Sequence, residues 1–161
     1  QFLRDCQKAW AMMRPRWGSN PDCASASKNI LCDKNGMITS LSLLNLKLGG
    51  PIPDTISNLN QLSLLRISLS TITGSIPSKL SNLSKLQILD IRRSELTGSI
   101  PAAIGALSTL RLLSFHYNKL TGAIPSTIGN LTRLTQLSLH HEQLTGPIPT
   151  AIGNLARLED L

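Results

Sequence analysis

Apolar positions in this chain return on a beat far longer than any helix or strand period. From Ile38 onward, aliphatic residues recur every 24 positions. One complete unit, Leu110–Arg133, opens with the pattern L-x-x-L-x-L-x-x-N-x-L. Alternation of apolar and polar residues across Leu113 and Phe115 predicts a short, half-buried strand. Leu110, Leu113, Phe115, Leu120, Ile124, Ile128 and Leu131 all return as aliphatics in the other units. One turn of this length cannot bury them alone, so the core is predicted to be a column shared between stacked turns. Each strand half is followed by a glycine–Xaa–isoleucine–proline block, five times in phase, beginning at Gly50, Gly74, Gly98, Gly122 and Gly146. The glycine suits a backbone turn with positive φ. The proline fixes φ and has no N–H, which places the block on the return path and not inside a sheet.

The whole unit, L-x-x-L-x-L-x-x-N-x-L-T-G-x-I-P-x-x-I-G-x-L-x-x, resembles the plant-type extracellular leucine-rich repeat over Ile38–Leu161. The resemblance implies an α/β leucine-rich-repeat solenoid. It would be a curved, right-handed stack with a parallel β-sheet on the concave face and an irregular or 3-10 convex side. Residues 37–161 would form five full units and the start of a sixth. In this family the asparagine after the strand forms a buried ladder with backbone groups of adjacent turns. Its equivalents here are Leu46, Ser70, Ser94, Asn118 and Glu142. Serine can substitute in part, because a hydroxyl still donates and accepts. Leu46 cannot, and Glu142 is expected either to turn outward or to carry a desolvation cost. A looser ladder follows.

Residues 1–36 do not repeat and hold both tryptophans and all three cysteines. A stacked solenoid needs its first turn covered. Leu3–Arg14 reads as a helix with Leu3, Trp10 and Met13 on one side. The segment resembles the family's N-terminal cap through Trp17, Cys23, Cys32, Asp33, Gly36, Ile38 and Leu41. It departs from the cap in lacking the Trp-x-Gly-Val run between the cysteines. The resemblance implies a Cys23–Cys32 disulfide. Cys6 is then left over, open to intermolecular pairing, to a free thiol or to burial inside the cap.

The formal net charge is +7. Residues 1–36 contribute six basic against three acidic side chains, +3, and the repeats ten against six, +4. A spread excess of this kind favours acidic partners, such as anionic glycans. Nucleic acid fits poorly: there is no lysine/arginine run, and aromatics make up 3% of the chain. Asn82-Leu83-Ser84 and Asn130-Leu131-Thr132 are N-glycosylation sequons, so Asn82 and Asn130 are candidate glycan sites. With the cap cysteines they favour an extracellular or cell-surface setting. The sequence contains no signal peptide and no membrane-spanning run. Leu158–Leu161 opens a further unit, which reads as a fragment of a larger receptor or as an end covered by another surface.

Outward-facing strand positions line up in columns on the expected concave face. Counting from the first leucine of each unit, the fifth column is Ser42, Arg66, Asp90, Ser114 and Ser138. The seventh is Leu44, Ser68, Arg92, His116 and His140, and the eighth Asn45, Leu69, Arg93, Tyr117 and His141. Arg92, Arg93, His116, Tyr117, His140 and His141 should be neighbours on the last three strands; with Arg66 and Asp90 they form the candidate ligand-binding patch. A donor-rich patch with an aromatic suits a carboxylate, a sulfate or an acidic loop. Its histidines should gain charge towards pH 5 to 6. In family receptors an arginine pair on this face reads a peptide's terminal carboxylate, and Arg92-Arg93 is adjacent where the family form is R-x-R. His116, His140 and His141 also suggest a metal site, but no carboxylate or cysteine completes a ligand set. No catalytic arrangement or cofactor motif is present, and an open sheet excludes water badly.

The expected function is therefore an extracellular recognition module, not an enzyme. It would bind a protein, peptide or acidic glycan on the concave face, as in receptor or co-receptor ectodomains. The resemblance also implies two alternatives: an inhibitor of a cell-wall-degrading glycosidase, and a surface-coat or ice-interacting structural protein.

Overall fold

The computed structural model describes residues 30–161. The chain winds through five near-identical turns. Its main sheet begins with β1 (Ile30–Cys32), which pairs antiparallel with β2 (Ile38–Leu44). A smaller strand, β3 (Gly50–Pro51), follows on the lateral side. The pattern then repeats: β4 (Leu64–Ser68) with β5 (Ile72–Gly74), β6 (Ile88–Arg92) with β7 (Glu95–Leu96), β8 (Leu112–Ser114) with β9 (Thr121–Gly122), and β10 (Gln136–Ser138) with β11 (Gln143–Leu144). The main sheet runs β1-β2-β4-β6-β8-β10, parallel from β2 onward. Its register is one full unit at every step, as in Leu41 beside Leu65 and Leu65 beside Leu89. The short lateral strands form two narrow parallel sheets, β3-β5-β7 and β9-β11.

A 3-10 turn closes each unit, over Asp54–Asn58, Ser78–Asn82, Ala102–Ala106, Ser126–Asn130 and Thr150–Asn154. Each begins directly after a proline with φ between −72 and −62°. The ring therefore presets the entry to the turn. The proline carbonyl then accepts the turn's first hydrogen bond, as from Ile104 N–H to Pro101 O at 3.0 Å. The expected solenoid with its parallel sheet and 3-10 side is what the chain forms.

The core is the shared column that the aliphatic beat predicts. Leu41, Leu65, Leu89, Leu113 and Leu137 are all buried one above another, as are Leu43, Ile67, Ile91 and Phe115. Burial falls off in the fifth turn, where Ile148 is 66% exposed. On the convex side the later turns approach so closely that only glycine fits. A Cβ on Gly105 would lie 2.3 Å from the carbonyl oxygen of Thr127, and one on Gly129 would lie 2.4 Å from that of Ala151. Gly153 meets nothing within 4 Å.

The ladder is looser, as expected, but it is completed in an unforeseen way. Asn118 makes the family-type rung: its amide donates to Ile91 O at 2.9 Å and to Phe115 O, while its Oδ1 accepts from Leu96 N–H at 3.3 Å. Ser70 Oγ donates to Leu46 O at 3.0 Å, and Leu46 simply joins the core. Glu142 turns inward. Its two carboxylate oxygens accept from Asn118 N–H at 2.6 Å and Leu120 N–H at 2.7 Å. Burial raises its pKa above the ordinary 4.5, against the two backbone N–H groups, which lower it. Of the two fates open to Glu142, the structure takes the desolvated one.

Two measurements test this packing. Gly105→Ala should cost about 1–3 kcal/mol by overpacking, with Gly153→Ala neutral or slightly stabilising, as read from urea midpoints. For Glu142 the folded chain holds the proton more tightly than the unfolded chain. That contribution to stability is present below the unfolded value and is lost as pH rises through the folded one. Glu142→Gln lacks it, so from about pH 4 to pH 7 the stability difference should shift in favour of the variant.

Candidate functional site

The concave patch is built by an interruption of strand geometry. In a regular strand, consecutive side chains point to opposite faces. Here the residue in the eighth column of every unit is left-handed: φ is 53° at Asn45, 54° at Leu69, 49° at Arg93, 59° at Tyr117 and 56° at His141. Non-glycine residues in this region cost about 1–2 kcal/mol each, and none of the five is β-branched. The turn brings the seventh and eighth side chains onto the same face, so His116 and Tyr117 meet edge to face at 5.5 Å. It also ends the strands. Of the six clustered residues only Arg92 lies inside a strand; His116, Tyr117, His140 and His141 follow the ends of β8 and β10, which corrects their expected place on the strands. Backbone pairing nonetheless continues through them, with Arg93 N–H to His116 O at 3.1 Å and Tyr117 N–H to His140 O at 3.2 Å.

Stacking at one-unit register turns the two columns into ladders of rings. His116 and His140 stack with centroids 4.6 Å apart and planes 13° apart. Tyr117 and His141 stack at 4.2 Å and 12°. The Arg93 guanidinium lies over the Tyr117 ring, 5.5 Å from its centroid, and gives a cation–π contact. Ser114 Oγ lies 2.8 Å from His116 Nδ1, and Ser138 Oγ 3.0 Å from His140 Nδ1. With each Nδ1 engaged below, each Nε2 is the nitrogen left for a ligand.

Asp90, only 3% exposed, anchors the floor. Arg66 Nε donates to its Oδ2 at 2.9 Å. Arg92 Nε stands 3.4 Å from Oδ1, and neither of those two atoms has a hydrogen-bond partner. Glu95 pairs instead with Lys119, at 3.4 Å. Among the described residues no carboxylate pairs with Arg93. Two guanidiniums, those of Arg66 and Arg92, thus meet the Asp90 carboxylate beside a shallow groove of about 420 Å³, which Asp160 also lines. All eight expected patch residues lie on this side, and each touches at least one other as a ring pair, an ion pair or a cation and ring. The patch residues that sequence reasoning missed are Ser114 and Ser138 as histidine partners, and the exposed Leu44 and Leu69. The fifth and seventh columns carried that signal, since a serine two residues before a histidine faces the same way.

His116 is harder to protonate than an ordinary imidazole. Burial lowers its pKa below 6.5, helped by His140, Arg92 and Arg93 and opposed by Asp90. The patch therefore gains this charge at lower pH than composition suggests. Among the described residues no group of three histidine, cysteine or carboxylate side chains is placed to hold a metal. A larger furrow of about 820 Å³ runs along the glycine–Xaa–isoleucine–proline blocks, but Asp54 is the one titratable residue lining it. The expected Cys23–Cys32 pairing, the leftover Cys6 and the cap helix fall outside the described residues, except for Cys32 itself. Asn82 and Asn130 are exposed at the ends of their 3-10 turns, away from the patch.

The repeat, the one-unit register and the concave patch define a leucine-rich-repeat recognition scaffold. The chain belongs to that family: residues 35–161 match the leucine-rich repeat region. Its structure is similar to the ectodomain of the receptor kinase SOBIR1 from Arabidopsis thaliana, at 26% identity and a TM-score of 0.82, covering 98% of this chain and 90% of that one. It is similar to a structure of the BIR3–SERK2 complex from Arabidopsis thaliana, at 30% identity and a TM-score of 0.78, with 97% and 92% covered. A plant ice-binding protein matches at 30% identity and a TM-score of 0.76, with 99% of this chain and 55% of that chain covered. Against the larger plant receptors it matches, including the GASSHO1/SCHENGEN3 ectodomain, the chain spans between 14% and 32% of their length. No functionally curated protein matches the sequence. Among the described residues no helix is long and apolar enough to cross a membrane.

The depressed His116 pKa has a definite sign. Below 6.5 the unfolded chain takes up a proton that the folded chain resists, so stability is lost as pH falls through this window. His116→Gln should lose less stability than the wild type between about pH 7.5 and pH 5.5, read as the shift in urea midpoint.

Proposed function

We propose that this chain is an extracellular recognition module that binds a protein or peptide on its concave face, in the manner of a receptor or co-receptor ectodomain. The observation that carries the reading is the surplus of guanidinium over carboxylate around Asp90, in a groove edged by imidazole nitrogens. Arginines that Asp90 compensates only in part favour an acidic partner, because charge-assisted hydrogen bonds are the strong ones. Likeness to ectodomains of plant receptor kinases supports the same reading, as does the complex of peptide hormone receptor RGFR1 with RGF2 among the similar structures. A secreted setting, glycans at Asn82 and Asn130 on the far side, and a Cys23–Cys32 disulfide belong to this proposal. The disulfide-bonded state of Cys32 supports the last.

One observation favours a second reading. The plant ice-binding protein is similar over nearly the whole chain, so adsorption to ice through the regular threonine and serine rows is the rival function.

The test immobilises the wild-type chain beside an Arg92→Ala, Arg93→Ala, His116→Ala, His141→Ala variant and passes extracellular extract over both. The expected result is a partner retained by the wild type, lost by the folded variant and identified by mass spectrometry. Equal retention, or none, overturns concave-face recognition. Inhibition of ice recrystallisation that the variant keeps would establish the rival.

A further inference from the structure

From the placement of charge and apolar surface on the concave face, we infer that its seventh and eighth columns take an extended peptide in which an apolar side chain is followed by carboxylates two and four residues on. The inference rests on the concave-face reading above and gives its ligand a pattern.

The face is divided along the stack. Beside β2 and β4 its seventh and eighth columns expose Leu44, at 42%, and Leu69, at 53%, while Arg66 on β4 pairs with Asp90. Over β6 it carries the guanidiniums of Arg92 and Arg93; among the described residues Asp90, already paired with Arg66, is the one carboxylate within ion-pair distance of either. Beyond β6 comes the stacked pair His116 and His140, with each Nδ1 engaged by a serine below. Adjacent strands lie about 4.8 Å apart. The leucine pair is centred between β2 and β4, one and a half spacings, or about 7 Å, from β6. The imidazole pair is centred the same distance beyond β6. An extended chain covers about 6.6 Å in two residues and presents those two side chains on the same face. A segment crossing the strands therefore meets the leucines, the arginines and the histidines with every second residue. Asp160 lines the groove beyond the histidines, so a third carboxylate would meet a like charge.

The geometry favours a peptide over an acidic glycan. Sugar rings are recognised by stacking on exposed aromatic faces as well as through their charge. Tyr117, 42% exposed, already stacks on His141 and has the Arg93 guanidinium 5.5 Å from its centroid, and His116 and His140 stack on one another. What the two columns present besides the rings is guanidinium and imidazole nitrogen beside the exposed Leu44 and Leu69. Nitrogens of this kind suit isolated carboxylates, and the leucines need an apolar side chain that a pectic polymer lacks.

The test measures fluorescence anisotropy of a dye-labelled, end-capped peptide with leucine followed by aspartate two and four residues later, separated by serines. The comparison is an isomer of the same composition with the aspartates three and five residues after the leucine. The expected result is at least tenfold tighter binding of the first peptide. Arg92→Ala with Arg93→Ala should remove that preference. Leu69→Asn, which suits the left-handed backbone, should weaken binding several-fold, yet leave unchanged a peptide with serine in place of leucine. Circular dichroism confirms that each variant folds. Equal affinity for the two isomers, or full binding by the arginine variant, overturns the pattern. Arginine-dependent binding of oligogalacturonate at equal strength overturns it too, and assigns the groove to an anionic glycan. If the peptides fail while the concave variant still loses its extract partner, recognition stands and only the pattern falls.

Discussion

Everything in this molecule depends on parallel strands holding one-unit register at a single spacing. A 24-residue turn has no interior of its own. Leu65 is buried because Leu41 lies below it and Leu89 above it. The same rule that makes apolar columns inside makes polar columns outside, so the register that supplies the hydrophobic stabilisation also fixes which functional side chains meet. Histidines 24 residues apart stack because the leucines beside them do. Packing and recognition are two faces of one periodicity.

That economy creates a debt in hydrogen bonding. Turns that leave the sheet carry backbone N–H groups into the interior, where an unpaired donor is costly. The ordinary asparagine answers this with donors and an acceptor on one short side chain. Here one asparagine does so, and the next rung is filled by the carboxylate of Glu142, which accepts from the N–H groups of Asn118 and Leu120. The substitution keeps the backbone satisfied and moves the compromise into protonation, since a partly buried carboxylate is held above its ordinary pKa.

The fold was legible because its signal is repeated five times: every unit independently asks for the same strand, the same proline-led turn and the same buried aliphatics. The patch was legible in membership, since counting columns brings Arg92, His116 and His140 together. Its geometry was not. Five different residue types, leucine and arginine among them, take positive φ in the eighth column, and no glycine or run of asparagines marks the place. The stack as a whole imposes that conformation on whatever residue stands there. The direction of Glu142 was undecided for a related reason: composition shows that a carboxylate is present, but not that two amide hydrogens wait for it. Column counting sets Asp90 beside Arg66 and Arg92, but only coordinates separate the arginine it bonds from the one it merely adjoins.

The glycines on the convex side have a consequence for how such a molecule can change over time. Gly105 and Gly129 let successive 3-10 turns close on one another, whereas the equivalent positions in the first two units are Ser57 and Ser81. Units that share one sequence pattern are therefore not interchangeable parts. Transplanting a serine-bearing unit to the place of Gly105 would wedge the back of the solenoid open while the strands in front kept their spacing, and the arc would tighten at that point. Duplication and shuffling of repeats would alter the shape of the inner face without touching a single residue on it, so curvature is itself a heritable specificity, written on the side of the protein that no concave-face ligand touches.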